Sequence, residues 1–148
     1  MSTAALTLEG VRRGVTSEDL DLVMRLEGLS LTAGEFHHAD HVRAAWVFLR
    51  YLPLDQAMHR FREALIRFAE HVGKPGLYHE TITSAYFFLI HERMHGHPDE
   101  SWGSFKQRNP DLLRWKGGVL ERLYSPQRLH GDLARRSFIL PDAPVRPQ

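Results

Sequence analysis

PLDQAMHRFREALIRFAEHVG, residues 53–73, decides the fold. Ala57, Phe61, Ala64, Leu65, Phe68 and Val72 recur at i, i+3, i+4 and i+7, the spacing of a helix with one apolar face. Glu63 and Arg67 stand four apart on the outer side as a favourable pair, and Gly73 offers a left-handed stop.

The stretches around it carry the same period. TSEDLDLVMRLEGL, residues 16–29, opens on Thr16 as N-cap with Asp19 three positions on, close to a capping box, and Leu20, Val23, Met24 and Leu26 give it an apolar side. A helix over about 38–52 sets Arg43 and Arg50 on a wet face, with His41, Ala45, Phe48 and Leu52 opposite. HETITSAYFFLIHERMHG, residues 79–96, is apolar on nearly every side in its middle and reads as a central helix. Beyond it HPDESW and NPDLL each place proline at a first helical position, and SPQRL does so behind Ser125. No segment alternates with period two over strand length. The expected fold is all-α: a compact bundle of about four principal helices with short ones at the C-terminal end. It forms a single domain over 1–148, with 1–15 and 143–148 loosely ordered.

A chain of 148 residues, 43% hydrophobic and 25% charged, is large enough for a real core. Nineteen basic residues against eighteen acidic ones leave no concentrated basic surface, so nucleic acid is not an expected partner. Without cysteine there is no disulfide, thiolate ligand or cysteine nucleophile. The start lacks the apolar run of a signal peptide, and the longest apolar stretch, AYFFLI at 85–90, is far short of a membrane span. A cytoplasmic location and no membrane partner are the expectations. Gly-rich phosphate loops, G-x-S-x-G and H-E-x-x-H are all missing.

Ten histidines remain, and their placement carries the chemistry. GEFHHADH, residues 34–41, sets His38 and His41 at i, i+3, with Cβ atoms roughly 5–6 Å apart on a helix. His41 falls in the middle of the buried stripe. An unsatisfied buried imidazole costs about 1–3 kcal/mol, so a hydrogen-bonding group or a cation must meet it. YHET, residues 78–81, supplies His79, on one stripe with Thr83, Tyr86 and Ile90. The expectation is that His79 meets His38 and His41 as a three-histidine metal site between two helices. Glu80 serves there as fourth ligand, general base or orienting partner of an imidazole, with Tyr78 beside it. The competing account has His79 and Glu80 capping a helix start. Glu35, three before His38, and His37, four before His41, are lesser candidate ligands. Tyr78, Tyr86 and Trp46 are candidate walls of a small-molecule pocket.

His91, His95 and His97 chelate well on paper. His91, however, lies eleven residues past Glu80, roughly 16 Å along a helix, and cannot share its ion. That cluster reads as a solvated helix end, as do His59, His71 and His130 on polar sides or in loops. Arg135 and Arg136 end the last helix, either on an anionic group or in solvent; solvation is the reading adopted.

FHHADH at 36–41, YHET at 78–81, YSP at 124–126 and PD at 141–142 stand in an order and spacing that resemble an uncharacterised family of small bacterial all-helical proteins. That family shows aromatic-x-H-x-x-H, then an amphipathic helix, then Y-H-E-T, over about residues 35–142 here. Phe36 stands where tryptophan is common in it. The resemblance implies His38 over His37 as the partner of His41, includes His79 and Glu80, and implies no reaction. The expected function is a small metal-dependent enzyme acting on a small molecule at a mononuclear site. Its divalent transition metal is zinc, iron, nickel or copper, which histidine nitrogens do not distinguish. Zinc would lower the pKa of a bound water and Glu80 would move its proton. The alternatives are a non-catalytic metal- or ligand-binding domain, and a structural domain with hydrogen-bonded core histidines.

Overall fold

The computed structural model describes residues 12–142. Four long helices come first: α1 (Ser17–Glu27), α2 (His38–Tyr51), α3 (Leu54–His71) and α4 (Glu80–Met94). Short ones follow: α5 (Trp102–Arg108), α6 (Pro110–Leu113), α7 (Leu120–Leu123), α8 (Pro126–Leu129) and α9 (Asp132–Arg136). One-turn 3-10 helices, Ala33–Glu35 and Pro75–Leu77, lead into α2 and α4. Among the described residues there is no strand, and the fold is the all-α one that the periodicity predicts.

Both halves of the capping box hold at α1. Thr16 accepts from the Asp19 N–H at 3.2 Å, and Asp19 Oδ2 accepts from the Thr16 N–H at 2.8 Å. The other Asp19 oxygen takes Arg43 Nε at 2.7 Å, and Asp19 is only 1% exposed. Arg50 donates to Glu100 O at 2.7 Å and to Arg13 O. The wet face expected on α2 is therefore a docking face: both arginines reach past its surface to a carboxylate or carbonyl of a covering segment.

α3 buries Ala57, Phe61, Ala64, Leu65 and Phe68, as its spacing requires. Gly73, at φ +78°, ends it in a Schellman turn, its N–H on Glu70 O at 3.0 Å and that of Lys74 on Ala69 O at 2.8 Å. Outside, Glu63 pairs with Arg62 at 3.6 Å rather than with Arg67, an exposed contact worth little. α4 packs on α2, α3, α7 and α9, which is why it is apolar on most sides. Phe87 and Ile90 are enclosed, each worth roughly 1.5–3 kcal/mol of burial. Phe87 stacks on Phe61 with centroids 5.6 Å apart, and Phe88, 40% exposed, marks where coverage stops.

α5 starts at Trp102 behind Ser101, whose hydroxyl accepts from the Ser104 N–H at 3.1 Å. Pro98 of HPDESW thus lies in the preceding turn, because the serine cap sets the helix start; Pro110 and Pro126 do open α6 and α8. Of the terminal stretches expected to be loose, 1–11 and 143–148 lie outside the described residues, while 12–15 form a turn with the Val15 N–H on Arg12 O at 3.0 Å. No helix among the described residues is long and apolar enough to cross a membrane.

Candidate functional site

A row of side-chain-to-backbone bonds fastens the C-terminal segment across the starts of α2 and α4. His38, the first residue of α2, donates Nε2–H to Leu112 O at 2.9 Å. His79, the N-cap of α4, donates Nε2–H to Leu129 O at 2.8 Å and accepts the Ile82 N–H on Nδ1 at 3.1 Å. A carbonyl can only accept, so both rings hold their proton on Nε2. The Thr81 hydroxyl donates to Ser137 O at 2.8 Å and accepts from the Ile139 N–H at 3.2 Å. Tyr124 donates to Ile139 O at 2.7 Å, and the Ser125 N–H and hydroxyl each meet the Asp142 carboxylate at 2.8 Å. The YHET, YSP and PD stretches, far apart in sequence, meet in this one seam.

Beneath the seam, between α2, α3 and α4, is a cavity of about 730 Å³, the size of a small-molecule site. Phe36, Phe61, Leu65, Phe68, Ile82 and Ile90 make its apolar lining. His38, His41 and His79 all reach its wall, and Tyr78 and Tyr86 do too. Trp46 does not. It is 1% exposed in the core, tilted on Trp102 with centroids 5.7 Å apart.

The three imidazoles play different parts. Both nitrogens of His79 are held by backbone, and among the described residues no three His, Asp or Glu side chains are grouped as a metal ion requires. Its geometry is that of a helix cap. His38 keeps Nδ1 unpaired behind its bond to Leu112. His41 lies flat on Phe36, and among the described residues neither of its ring nitrogens has a hydrogen-bond partner. No fully enclosed side-chain nitrogen or oxygen among the described residues lacks a partner, so the His41 nitrogens stay open to the cavity they line. Burial, then the neighbouring His38 and His37, push His41 down to about 4. Burial also lowers His38 and His79, against the opposing effect of their carbonyl bonds. All three are neutral at neutral pH.

Glu80 is not on the lining, although Tyr78 beside it is. Glu80 Oε1 accepts from Arg62 Nε at 2.8 Å and from the Tyr78 hydroxyl at 2.7 Å, and Oε2 takes the Ser84 hydroxyl at 3.4 Å. Burial, then this bond to Glu80, push the Tyr78 phenol well above its ordinary range. The network ties the start of α4 to α3, with Glu80 turned away from the cavity. Glu35 sits outside as well, accepting the Thr32 N–H at 2.8 Å and pairing with Arg25 at 3.4 Å, contacts that hold it below the usual carboxylate range. His37 is the exposed N-cap of α2, its N–H on Asp40 at 3.0 Å. His91, His95 and His97 edge a separate depression of about 640 Å³ with Arg50 and Glu92.

Sequence patterns do not announce Trp115 or Lys74 as wall residues. Trp115, 55% exposed, tilts over His38 with centroids 5.3 Å apart, while Tyr86 meets the same ring edge-on at 4.8 Å. Burial pushes the Tyr86 phenol up to about 12, so its hydroxyl remains a donor. A Cβ on Gly118 would lie 2.3 Å from Arg114 O and 3.1 Å from the Tyr86 oxygen, so only glycine lets that turn close behind Tyr86. Lys74 and Arg135 stand at the rim, Arg135 donating to Gly76 O at 2.6 Å across 59 positions of chain. Set against known proteins, the chain matches no family model, no curated protein and no solved structure.

Proposed function

We propose that this protein binds a small, largely apolar molecule in the cavity between α2, α3 and α4, with neutral His41 meeting the ligand's polar group. The observation that carries this is the His41 ring, packed on Phe36, unpartnered by protein and open to the cavity. Leaving such a group unsatisfied costs about 1–3 kcal/mol, so water or a ligand takes it. A neutral imidazole offers one N–H and one lone pair, which suits a hydroxyl, carbonyl or amide. In the aromatic-x-H-x-x-H pattern, the aromatic residue Phe36 is the platform beneath this ring. A cytoplasmic setting goes with the reading.

A second reading, a metal-dependent enzyme, is favoured by one observation. The Leu112 carbonyl holds His38 Nε2–H in the way that orients a metal-ligating imidazole, and Nδ1 is left unpaired. His38 and His41 would then supply two neutral nitrogens to zinc, iron, nickel or copper. His79 would keep its capping role, and Glu80 would have to leave Arg62 to act as a base.

The test screens small apolar compounds by thermal shift on wild type and His41→Leu, with metal quantified in the untagged protein before and after reconstitution. Compounds that raise the melting temperature of wild type and lose most of that effect in His41→Leu support the first reading. Stoichiometric metal, lost in His38→Ala and His41→Ala but kept in His79→Ala, supports the second. A protein that takes neither compound nor metal overturns both.

A further inference from the structure

We infer that the cavity's ligand is an anionic amphiphile: an apolar body on the phenylalanine-rich lining, bearing the neutral polar group that meets His41, and a carboxylate at the rim, between Lys74 and Arg135. This rests on the small-molecule reading above and names the class of molecule it takes. The chain's acids and bases nearly balance, eighteen against nineteen. The cavity does not share that balance, because no Asp or Glu lines it while Lys74 and Arg135 do. Glu80, next to His79, bonds to Arg62 and the Tyr78 hydroxyl, and neither it nor Glu70, four residues before Lys74, is on the lining.

The two cations are placed and unspent. Arg135 is pinned to the 75–78 turn by Nη1, on Gly76 O at 2.6 Å and more loosely on Tyr78 O at 3.4 Å. A guanidinium has five N–H donors, so others remain for a carboxylate. Among the described residues Arg135 pairs with no acid, whereas its neighbour Arg136 meets Asp132 at 2.5 Å. Lys74 is set by its own N–H on Ala69 O, and its ammonium has no partner among the described residues. Charge belongs at this rim and not deeper. Next to neutral His41 and the aromatic rings an anion would lose its water with nothing of opposite sign to replace it. The apolar lining, for its part, gives a purely ionic ligand nothing to bury.

The test titrates the 148-residue chain with decanoate, decanol and decylammonium below their micelle or solubility limits, by calorimetry and by tryptophan emission. Decanoate is expected to bind at least tenfold tighter than the other two and to weaken as salt rises. Lys74→Gln, which removes no hydrogen bond of the fold, should weaken decanoate several-fold and leave decanol unchanged. Adding Arg135→Gln should bring decanoate close to decanol. Decanol binding as well as decanoate, with Lys74→Gln silent, overturns the anionic assignment and leaves the small-molecule reading standing; tighter decylammonium does the same. If none of the three binds, the anionic assignment fails, while the small-molecule reading is decided by the thermal-shift screen against His41→Leu.

Discussion

His41 and Phe36 lie face to face, ring centroids 4.1 Å apart and planes 21° from parallel. The stack covers one side of the imidazole and leaves its nitrogens to the cavity, with no protein hydrogen bond among the described residues. Protonation would put a charge there with no acid beside it, and the neighbouring His37 and His38 oppose it further.

That contact gives the fold a pH dependence. His41 is lowered from 6.5 to about 4, so between those values the unfolded chain holds a proton that the folded one refuses. The stability it contributes is complete above pH 6.5 and is lost as pH falls toward 4, a difference on the order of 3 kcal/mol at most. His38 and His79 add to the slope in the same direction. Urea unfolding near neutrality and near pH 5 should show wild type weakening more than His41→Phe. Equal losses would place the effect elsewhere.

His79 bonds at both ends, and two substitutions separate them. His79→Ala removes the cap of Ile82 and the partner of Leu129, for an expected loss of about 2–3 kcal/mol. His79→Asn can still cap, and should recover about 1 kcal/mol of it. Hydrogen exchange reads this directly: the Ile82 amide stays protected in the asparagine variant and opens in the alanine one.

Asp19 and Arg43 form an almost enclosed pair that also completes the α1 cap. Asp19→Ala removes the cap and the partner of the half-buried Arg43 guanidinium, and should cost about 2–3 kcal/mol in urea unfolding. Asp19→Leu combined with Arg43→Leu should recover part of that, since no charge is then left unpaired. A double variant as weak as Asp19→Ala would mean that the lost cap dominates.

Gly118→Ala puts a carbon 2.3 Å from Arg114 O and close on the Tyr86 hydroxyl. The turn must move, at about 1–3 kcal/mol, and Trp115 moves with it. A shift in Trp115 emission together with weaker ligand binding is the expected outcome. An unchanged melting temperature and emission would show that the turn yields freely.

The four long helices were legible because an apolar face, a capping box and a stop glycine are written within one or two turns of chain. Arg43 and Arg50 were misread as solvated because their partners lie 24 and 50 positions away, on segments whose approach no period announces. The spacing of His38 and His41 did bring both to one wall. It says nothing of the carbonyls that claim the rings of His38 and His79, since Leu112 and Leu129 offer only backbone. The rim cations were equally hidden: Arg135 reads as the wet end of a short helix until the turn at Gly76 is seen beside it.

The seam over α2 and α4 also sets an order of events during synthesis. His38, His79 and Thr81 leave the ribosome well before Leu112, Leu129, Ser137 and Ile139, which they hold in the finished molecule. The nascent bundle has the phenylalanines of its hollow in place before anything is available to close over them. A bundle of α1 to α4 formed in that interval would leave the hollow uncovered on that side, an apolar surface that a chaperone could hold.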